Sequence, residues 1–233
     1  ARERAYAAAA VLFVCPTLAG HALDAGQPAV IAPAADLLHV GGAAVWIGGA
    51  ADGKATTALV VNSDNTILDD IWAWRADHGN GVGWTTNPAD TGVIVNGDDV
   101  TAYGLFVEHF QKTEVIWNGE RGRTIMFQNE MPYDPPDQAS YQHDGLLGWA
   151  SYKVAPWVKA HEGWGLGSYC YYNVDPAIVQ HNGFAAPNTP GVKFHDLLVV
   201  SLGGQGQYEH VVNETGAPTS GTSTVPSTVV SYP

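Results

Sequence analysis

Between Thr56 and Asp134 the apolar residues fall in short runs: ALVV, TILDDIWAW, GVIV, GLFVEHF, EVIW and TIMFQNEM. Each run has strand length, is rich in β-branched and aromatic residues, and is parted from the next by Asn, Asp or Gly. Val61, Val93, Ile94, Val95, Leu105 and Val107 alternate or cluster within them as core positions. The runs also repeat. Asn96 is followed twelve residues later by Glu108, and Asn118 twelve residues later by Glu130, the two units lying 22 residues apart. One unit upstream, at an offset of 34, Asn62 falls where Asn96 falls and Trp74 falls where Glu108 falls. A sandwich does not explain such equivalences. A parallel β-helix does, because each coil returns its strands to the same place one rung higher.

The pattern therefore predicts an all-β, single-stranded parallel β-helix over residues 41–216, starting from the glycine-paired segment LHVGGAAVWIGGAADGK. Asn62, Asn96 and Asn118 would stack at one corner, bonding through their amides and tolerating the left-handed turn that a corner needs. The segment HGNGVGWTTNPAD, His78 to Asp90, reads as an inserted loop, the kind that lines clefts on solenoids. After Asp134 come a proline-rich loop, short strands and VAPWVKAHEG, a possible helical turn limited by Pro156. PGVKFHDLLVVSLGG and the residues after it return to strand and turn signals. The tail, residues 217–233, is rich in Ser, Thr and Pro and reads as a linker or an edge wrapping the end of the solenoid.

Residues 1–40 lack the repeat and form a separate N-terminal segment. Their arginines, apolar run and small residues near Ala22 read as a secretory leader, with a truncated or ill-fitting start as the alternative. The leader points to a secreted protein. Apart from this segment, no stretch has the apolar length of a membrane helix, so no membrane partner is expected.

With 10 Lys and Arg against 23 Asp and Glu in 233 residues, the net charge of -13 disfavours nucleic acid. Only 14% of residues are charged, while 27 Gly, 8 Trp and 10 Tyr suit a turn-rich β protein with an aromatic surface and a neutral partner. Cys15 and Cys170 provide neither a disulfide framework nor a zinc spacing, and a bridge between them is not expected. Seven of the histidines, His78, His109, His143, His161, His181, His195 and His210, show no ligand spacing and read mostly as structural; no metal or other cofactor is called for. Asp64, Asp98 and Asp99 fit turn chemistry better than a calcium loop. Asn213-Glu214-Thr215 matches a glycosylation sequon.

Strands one rung apart are about 4.8 Å apart, so Glu108 and Glu130 project from one face as neighbours. Two close carboxylates raise at least one pKa, which is how a carboxyl stays protonated as a general acid. Trp74 beside them offers a flat apolar surface for a sugar ring, and Trp72, Asp77, Trp117 and Tyr133 fall near the same wall, although at least one of the tryptophans should be packed inside.

At this point the residues resemble a known family. GLFVEHFQKTEVIWNGERGRTIMFQNEMPYDPP, with SDNTILDDIWAWRADHG before it and PGVKFHDLLVVSLGG after it, is similar to the C-terminal β-helix of glycoside hydrolase family 55, the β-1,3-glucanases or laminarinases, including actinobacterial relatives. The resemblance implies a right-handed, pectin-lyase-like solenoid and cleavage of β-1,3-glucan with inversion. It implies that Glu130, in the FQNE-PYD motif, is the general acid and that Glu108, in VEHFQ, helps hold the attacking water. Trp72, Trp74, Asp77 and Tyr133 would shape the sugar subsites, and Trp117 and Gln128 join them as substrate-binding candidates on their position in the same units. Metal has no part in that mechanism, and a first β-helix, absent from this sequence, would complete the cleft. Three other readings stay open: a non-catalytic carbohydrate-binding β-helix, a structural solenoid, and a polysaccharide lyase using Arg75, Arg121 or Arg123 as base.

Overall fold

The computed structural model describes residues 54–219 and 224–233. The leader segment, Cys15 and the glycine-paired segment up to residue 53 lie outside the described residues.

Two six-stranded sheets wind into a right-handed parallel β-helix. Sheet A is built from β1 (Ala55–Val61), β3 (Ala89–Val95), β5 (Val115–Trp117), β9 (Tyr152–Val154), β11 (Val179–Ala185) and β13 (Gln207–Val212), stacked in that order. Sheet B is built from β2 (Ile67–Trp74), β4 (Thr101–Glu108), β6 (Gly122–Glu130), β10 (His161–Cys170) and β12 (Val192–Ser201). A small hairpin, β7 (Gln142–His143) with β8 (Leu146–Leu147), sits in the long loop after β6. The last strand, β14 (Ser227–Tyr232), pairs antiparallel with β12, so the Ser/Thr/Pro-rich tail closes a sheet edge that unpaired N–H and C=O groups would leave open to other chains. The VAPWVKAHEG segment forms a turn, and among the described residues the single helical element is a short 3-10 turn, Gln138–Ser140.

Register follows the sequence repeat: Val61 pairs with Val95 and Trp74 with Glu108 at offset 34, while Phe106 pairs with Gln128 at offset 22. At the corner that leads into sheet B, Asn96 Nδ2 donates to Asn62 Oδ1 at 2.7 Å and Asn118 Nδ2 to Asn96 Oδ1 at 2.8 Å. Next to this ladder, the backbone N–H groups of Asp98 and Glu120 donate to the carboxylates of Asp64 and Asp98, both at 2.8 Å. The corner aspartates are thus engaged in turn bonds. Asn213 is held in the same way: its amide donates to Ala186 O and to the Tyr232 hydroxyl, bonds that a glycan on Nδ2 would break.

One feature of sheet B lies outside simple alternation. Asp70, Gly104, Met126, Gly165 and Asp196 form a column of left-handed residues, φ 51 to 64, one in the middle of each strand. Each shifts the in–out alternation by one residue. In β4, Ala102 is buried before the shift and Leu105 and Val107 after it; in β6, Thr124 precedes and Phe127 and Asn129 follow. Unbroken alternation from Ala102 or Thr124 would turn Glu108 and Glu130 into the core. The shift turns them out.

Candidate active site

The acids stand where the sheet B strands end. Trp74, Glu108 and Glu130 are the last residues of β2, β4 and β6, and Tyr169 pairs with Glu130 from β10. Rung hydrogen bonding runs one residue past these ends: Arg75 N–H donates to Glu108 O at 3.0 Å, His109 N–H to Glu130 O at 2.8 Å and Met131 N–H to Tyr169 O at 2.9 Å. One outward row therefore reads Trp74, Glu108, Glu130, Tyr169. The neighbouring outward row reads Trp72, Phe106, Gln128. Ala73, Val107 and Asn129 between the rows are buried.

The two glutamates are tied to different partners. Glu108 Oε2 accepts the indole N–H of Trp72, from the coil before, at 2.7 Å. Glu130 Oε2 accepts the Tyr133 hydroxyl at 2.6 Å, faces His109 Nε2 at 3.4 Å, and is hydrogen-bonded by Tyr169 of the coil after. Their chemistry diverges accordingly. Burial raises the Glu108 carboxyl; the Trp72 bond only partly offsets this, and the charge on Glu130 adds to it. Burial alone would raise Glu130 too, but its bonds from His109, Tyr133 and Tyr169 outweigh that and bring it down to about 2. At neutral pH, Glu130 is an anion, while Glu108 holds its proton more tightly than an ordinary carboxyl.

His109 organises this half of the site. Its Nδ1 lies 3.1 Å from Asp77 Oδ2 and its Nε2 faces Glu130, so the imidazole bridges two carboxylates. Burial disfavours its cation, yet those two partners raise it to about 9. Asp77, with no exposed side-chain surface, also accepts the Tyr133 N–H at 2.6 Å and contacts His78 Nδ1 at 2.6 Å. Burial would raise Asp77, but the bonds from His109, Tyr133 and His78 hold it below its ordinary value. The His78 ring stacks on Tyr133 at 5.3 Å. Asp77, His78 and His109 are close enough to hold a cation. Asp77 has no exposed side-chain surface and also takes the Tyr133 N–H, so the group is a buried hydrogen-bond network with no room for an ion and its water.

Arg75 locks the loops around the wall. It is buried, forks onto Asp134 with bonds of 2.9 and 2.8 Å, donates to His109 O and Asn87 O, and lies over the Trp84 ring. The inserted loop and the PYD segment are thereby fastened to one guanidinium. Arg75 is not free to act as a lyase base. Arg121 is forked onto Asp99 at the opposite end of the strand, where Arg123 also sits, so neither reaches the acids.

Of the residues the sequence singled out, Trp72, Trp74, Gln128 and Tyr133 gather around Glu108 and Glu130. Trp72 is 59% exposed and lies 6.4 Å from the Trp74 ring. Gln128 hydrogen-bonds Glu108, and its Oε1 is buried with no protein partner. Asp77 lies beneath the wall, positioning His109. Trp117 is a correction. It has no exposed surface and packs inside sheet A against Tyr152 and His161, because it belongs to the inward row Val61, Val95, Trp117, Val154. It cannot line a sugar subsite. Sequence reasoning missed two residues. His109, grouped with the structural histidines, was marked only by standing next to Glu108. Tyr169 had no repeat signal, because the loop after β6 lengthens that coil to an offset of 39.

Comparison with known proteins gives this wall a lineage. Residues 17–130 match the LAM55 pectate lyase-like domain. Over 189 residues the chain is 65% identical to an exo-β-1,3-glucanase of Streptomyces sp. strain SirexAA-E/ActE, covering 81% of this chain and 31% of that protein. Two solved structures of sacteLam55A from Streptomyces sp. SirexAA-E, one of them a glutamate-to-alanine variant in complex with glucose, superpose with a TM-score of 0.78 at 64% and 65% identity. They cover 80% of this chain and 34% of theirs, so this chain spans about a third of the length of the relatives it matches. It is a homologue, at high identity, of the sacteLam55A-type β-1,3-glucanases of glycoside hydrolase family 55.

Proposed function

We propose that this chain carries one wall of an extracellular glycoside hydrolase cleft that cleaves β-1,3-glucan with inversion, the other wall coming from a further β-helix of the whole protein. The observation that carries the reading is the pair of glutamates on successive rungs, held in environments that drive their pKa values apart, beside the exposed Trp72 and the half-buried Trp74. Glu130 protonates the departing glycosidic oxygen and Glu108 holds the attacking water. The two carboxylates are held by different partners, Glu108 by Trp72 and Gln128 and Glu130 by His109, Tyr133 and Tyr169, and inversion requires room between them for a water. Without substrate Glu130 is an anion. Exclusion of solvent by glucan and the opposing wall favours its protonated form.

A second reading, favoured by the order of the two pKa values in the unliganded wall, exchanges the roles: Glu108 is the acid and Glu130 the base. Leaving-group dependence separates the two. Removing a general acid spares substrates whose leaving group departs unprotonated, whereas removing the base spares none. In the full-length protein, Glu130→Gln is expected to lose turnover of laminarin while retaining turnover of a dinitrophenyl β-glucoside. The same sparing in Glu108→Gln would assign the acid to Glu108. Laminarin hydrolysis untouched by either substitution would overturn the hydrolase reading, and laminarin that retards the protein in affinity electrophoresis without being cleaved would make it a binding module.

A further inference from the structure

Sheet A carries a second group of histidines and carboxylates that the glucanase reading does not use. His181 lies on β11, Glu209 and His210 on β13, and Glu214 on the turn that follows β13. Asn182 pairs with His210, which sets His181 beside Glu209 across the rung. Each imidazole has its Nδ1 against an acceptor: His181 Nδ1 is 3.0 Å from Glu209 Oε2, and His210 Nδ1 is 3.4 Å from Gly216 O. Such acceptors hold the proton on Nδ1 and leave Nε2 as the ligand atom, the arrangement that metal-binding histidines use.

Both Nε2 atoms converge on one carboxylate. His181 Nε2 is 2.9 Å from Glu214 Oε1, and His210 Nε2 is 3.3 Å from Glu214 Oε2. All three ligand atoms lie within 4.8 Å of one another. A tetrahedral zinc ion with bonds of about 2.0–2.1 Å separates its ligand atoms by about 3.3 Å, so the group needs little movement to close on one. Glu214 is carried on a firm support. Its turn is closed by Val211 N–H to Thr215 O at 2.9 Å and Thr215 N–H to Val212 O at 2.8 Å, and the neighbouring Asn213 is pinned to Ala186. The group opens to solvent along a groove of about 340 Å³ that Asn182, Leu146 and Glu214 line, giving an ion a way in and a water a fourth position.

We propose that His181, His210 and Glu214 form a binding site for a divalent transition-metal ion of the zinc class, with Glu209 and Gly216 O orienting the two imidazoles. Two neutral imidazoles and a carboxylate suit zinc better than magnesium or calcium, which take oxygen ligands. The ion takes these ligands in their deprotonated forms, so protons compete with it and its affinity rises with pH. Bound there, it clips the turn after β13 to β11 and stabilises the last rungs.

The test is calorimetric titration of the chain with Zn²⁺, together with its melting temperature. One ion is expected per chain, with affinity rising by at least about tenfold between about pH 6 and pH 8 and an increase in melting temperature. Glu214→Gln and His210→Ala should remove this binding, and Glu209→Gln should weaken it by about tenfold. Glu214 is 74% exposed on its side chain, so its substitution leaves the fold intact. His78→Ala, in the cleft group, should leave zinc binding unchanged. No retained zinc, zinc binding indifferent to Glu214→Gln and His210→Ala, or binding lost in His78→Ala would each overturn the assignment and leave these side chains as a hydrogen-bonded surface network.

Discussion

The two ends of the sheet B strands are built on the same repeats and differ in kind. At the start of β2, β4 and β6, each rung does the same thing: Asn62, Asn96 and Asn118 pass one amide hydrogen bond along the stack, and Asp64 and Asp98 each receive the backbone N–H of the rung above. At the finish, the equivalent position is occupied by Trp74, Glu108, Glu130 and Tyr169 in turn, and each acid has its own set of partners. Identical groups in a ladder satisfy one another and add only stability. Unlike groups at stacked positions are held in distinct environments, which sets a carboxyl with a raised pKa beside one held near 2. On this solenoid, the candidate site sits where the repeat changes residue without changing register.

This contrast breaks most sharply at Glu130. Glu130→Gln is expected to lower laminarin hydrolysis by about a thousandfold, since a general acid contributes about 10² to 10⁴ in rate, and to lower the melting temperature near neutral pH while the chain still folds, because the charge that His109, Tyr133 and Tyr169 bond is removed. Loss of fold in that variant would make the wall structural.

Gly104→Val tests the bend that turns the wall outward. A Cβ there would lie 2.7 Å from Asp70 Oδ1, at a φ of 59 that a β-branched residue resists. We expect a loss of about 2–3 kcal/mol in urea unfolding, with reduced turnover as the Glu108 rung shifts.

The third test is pH. Glu130, depressed from 4.5 to about 2, contributes stability that is present above pH 4.5 and is lost as pH falls through 2. His109, raised from 6.5 to about 9, contributes stability that is complete below pH 6.5 and is lost as pH rises through 9. The excess melting temperature of the native protein over His109→Asn should therefore be greatest between pH 4.5 and 6.5 and shrink on both sides. A difference that stays flat as pH falls from 4.5 toward 2 and rises from 6.5 toward 9 would show that His109 is not the charge partner of Glu130. The smallest effect belongs to the corner. Asn96→Ala removes two exposed ladder bonds, for about 1 kcal/mol in urea unfolding, and should leave laminarin turnover unchanged.

Buried histidines make the same point as the two strand ends. His109 and His161 are both in the interior, yet His109 rises to about 9 between two carboxylates while His161, bonded to the Tyr152 hydroxyl and otherwise only desolvated, falls to about 3. Nothing in the residue type or its spacing distinguishes them. Trp117 went wrong in the sequence reading for a related reason. In a three-residue strand, alternation has no phase until its neighbours on the stack supply one, and Val95 and Val154 place it inside.

The sequence by itself determined the solenoid, the offsets of 34 and 22, the asparagine ladder and the stacking of Trp74, Glu108 and Glu130, because a β-helix writes its register as a period along the chain. The tertiary structure decided which way those residues face and what they hold. One left-handed residue per strand sets the facing, and loops of unequal length set the partners by bringing Asp77, Tyr133 and Tyr169 to His109 and Glu130 from separate coils. Those partners, not the glutamates alone, make one carboxyl unlike the other.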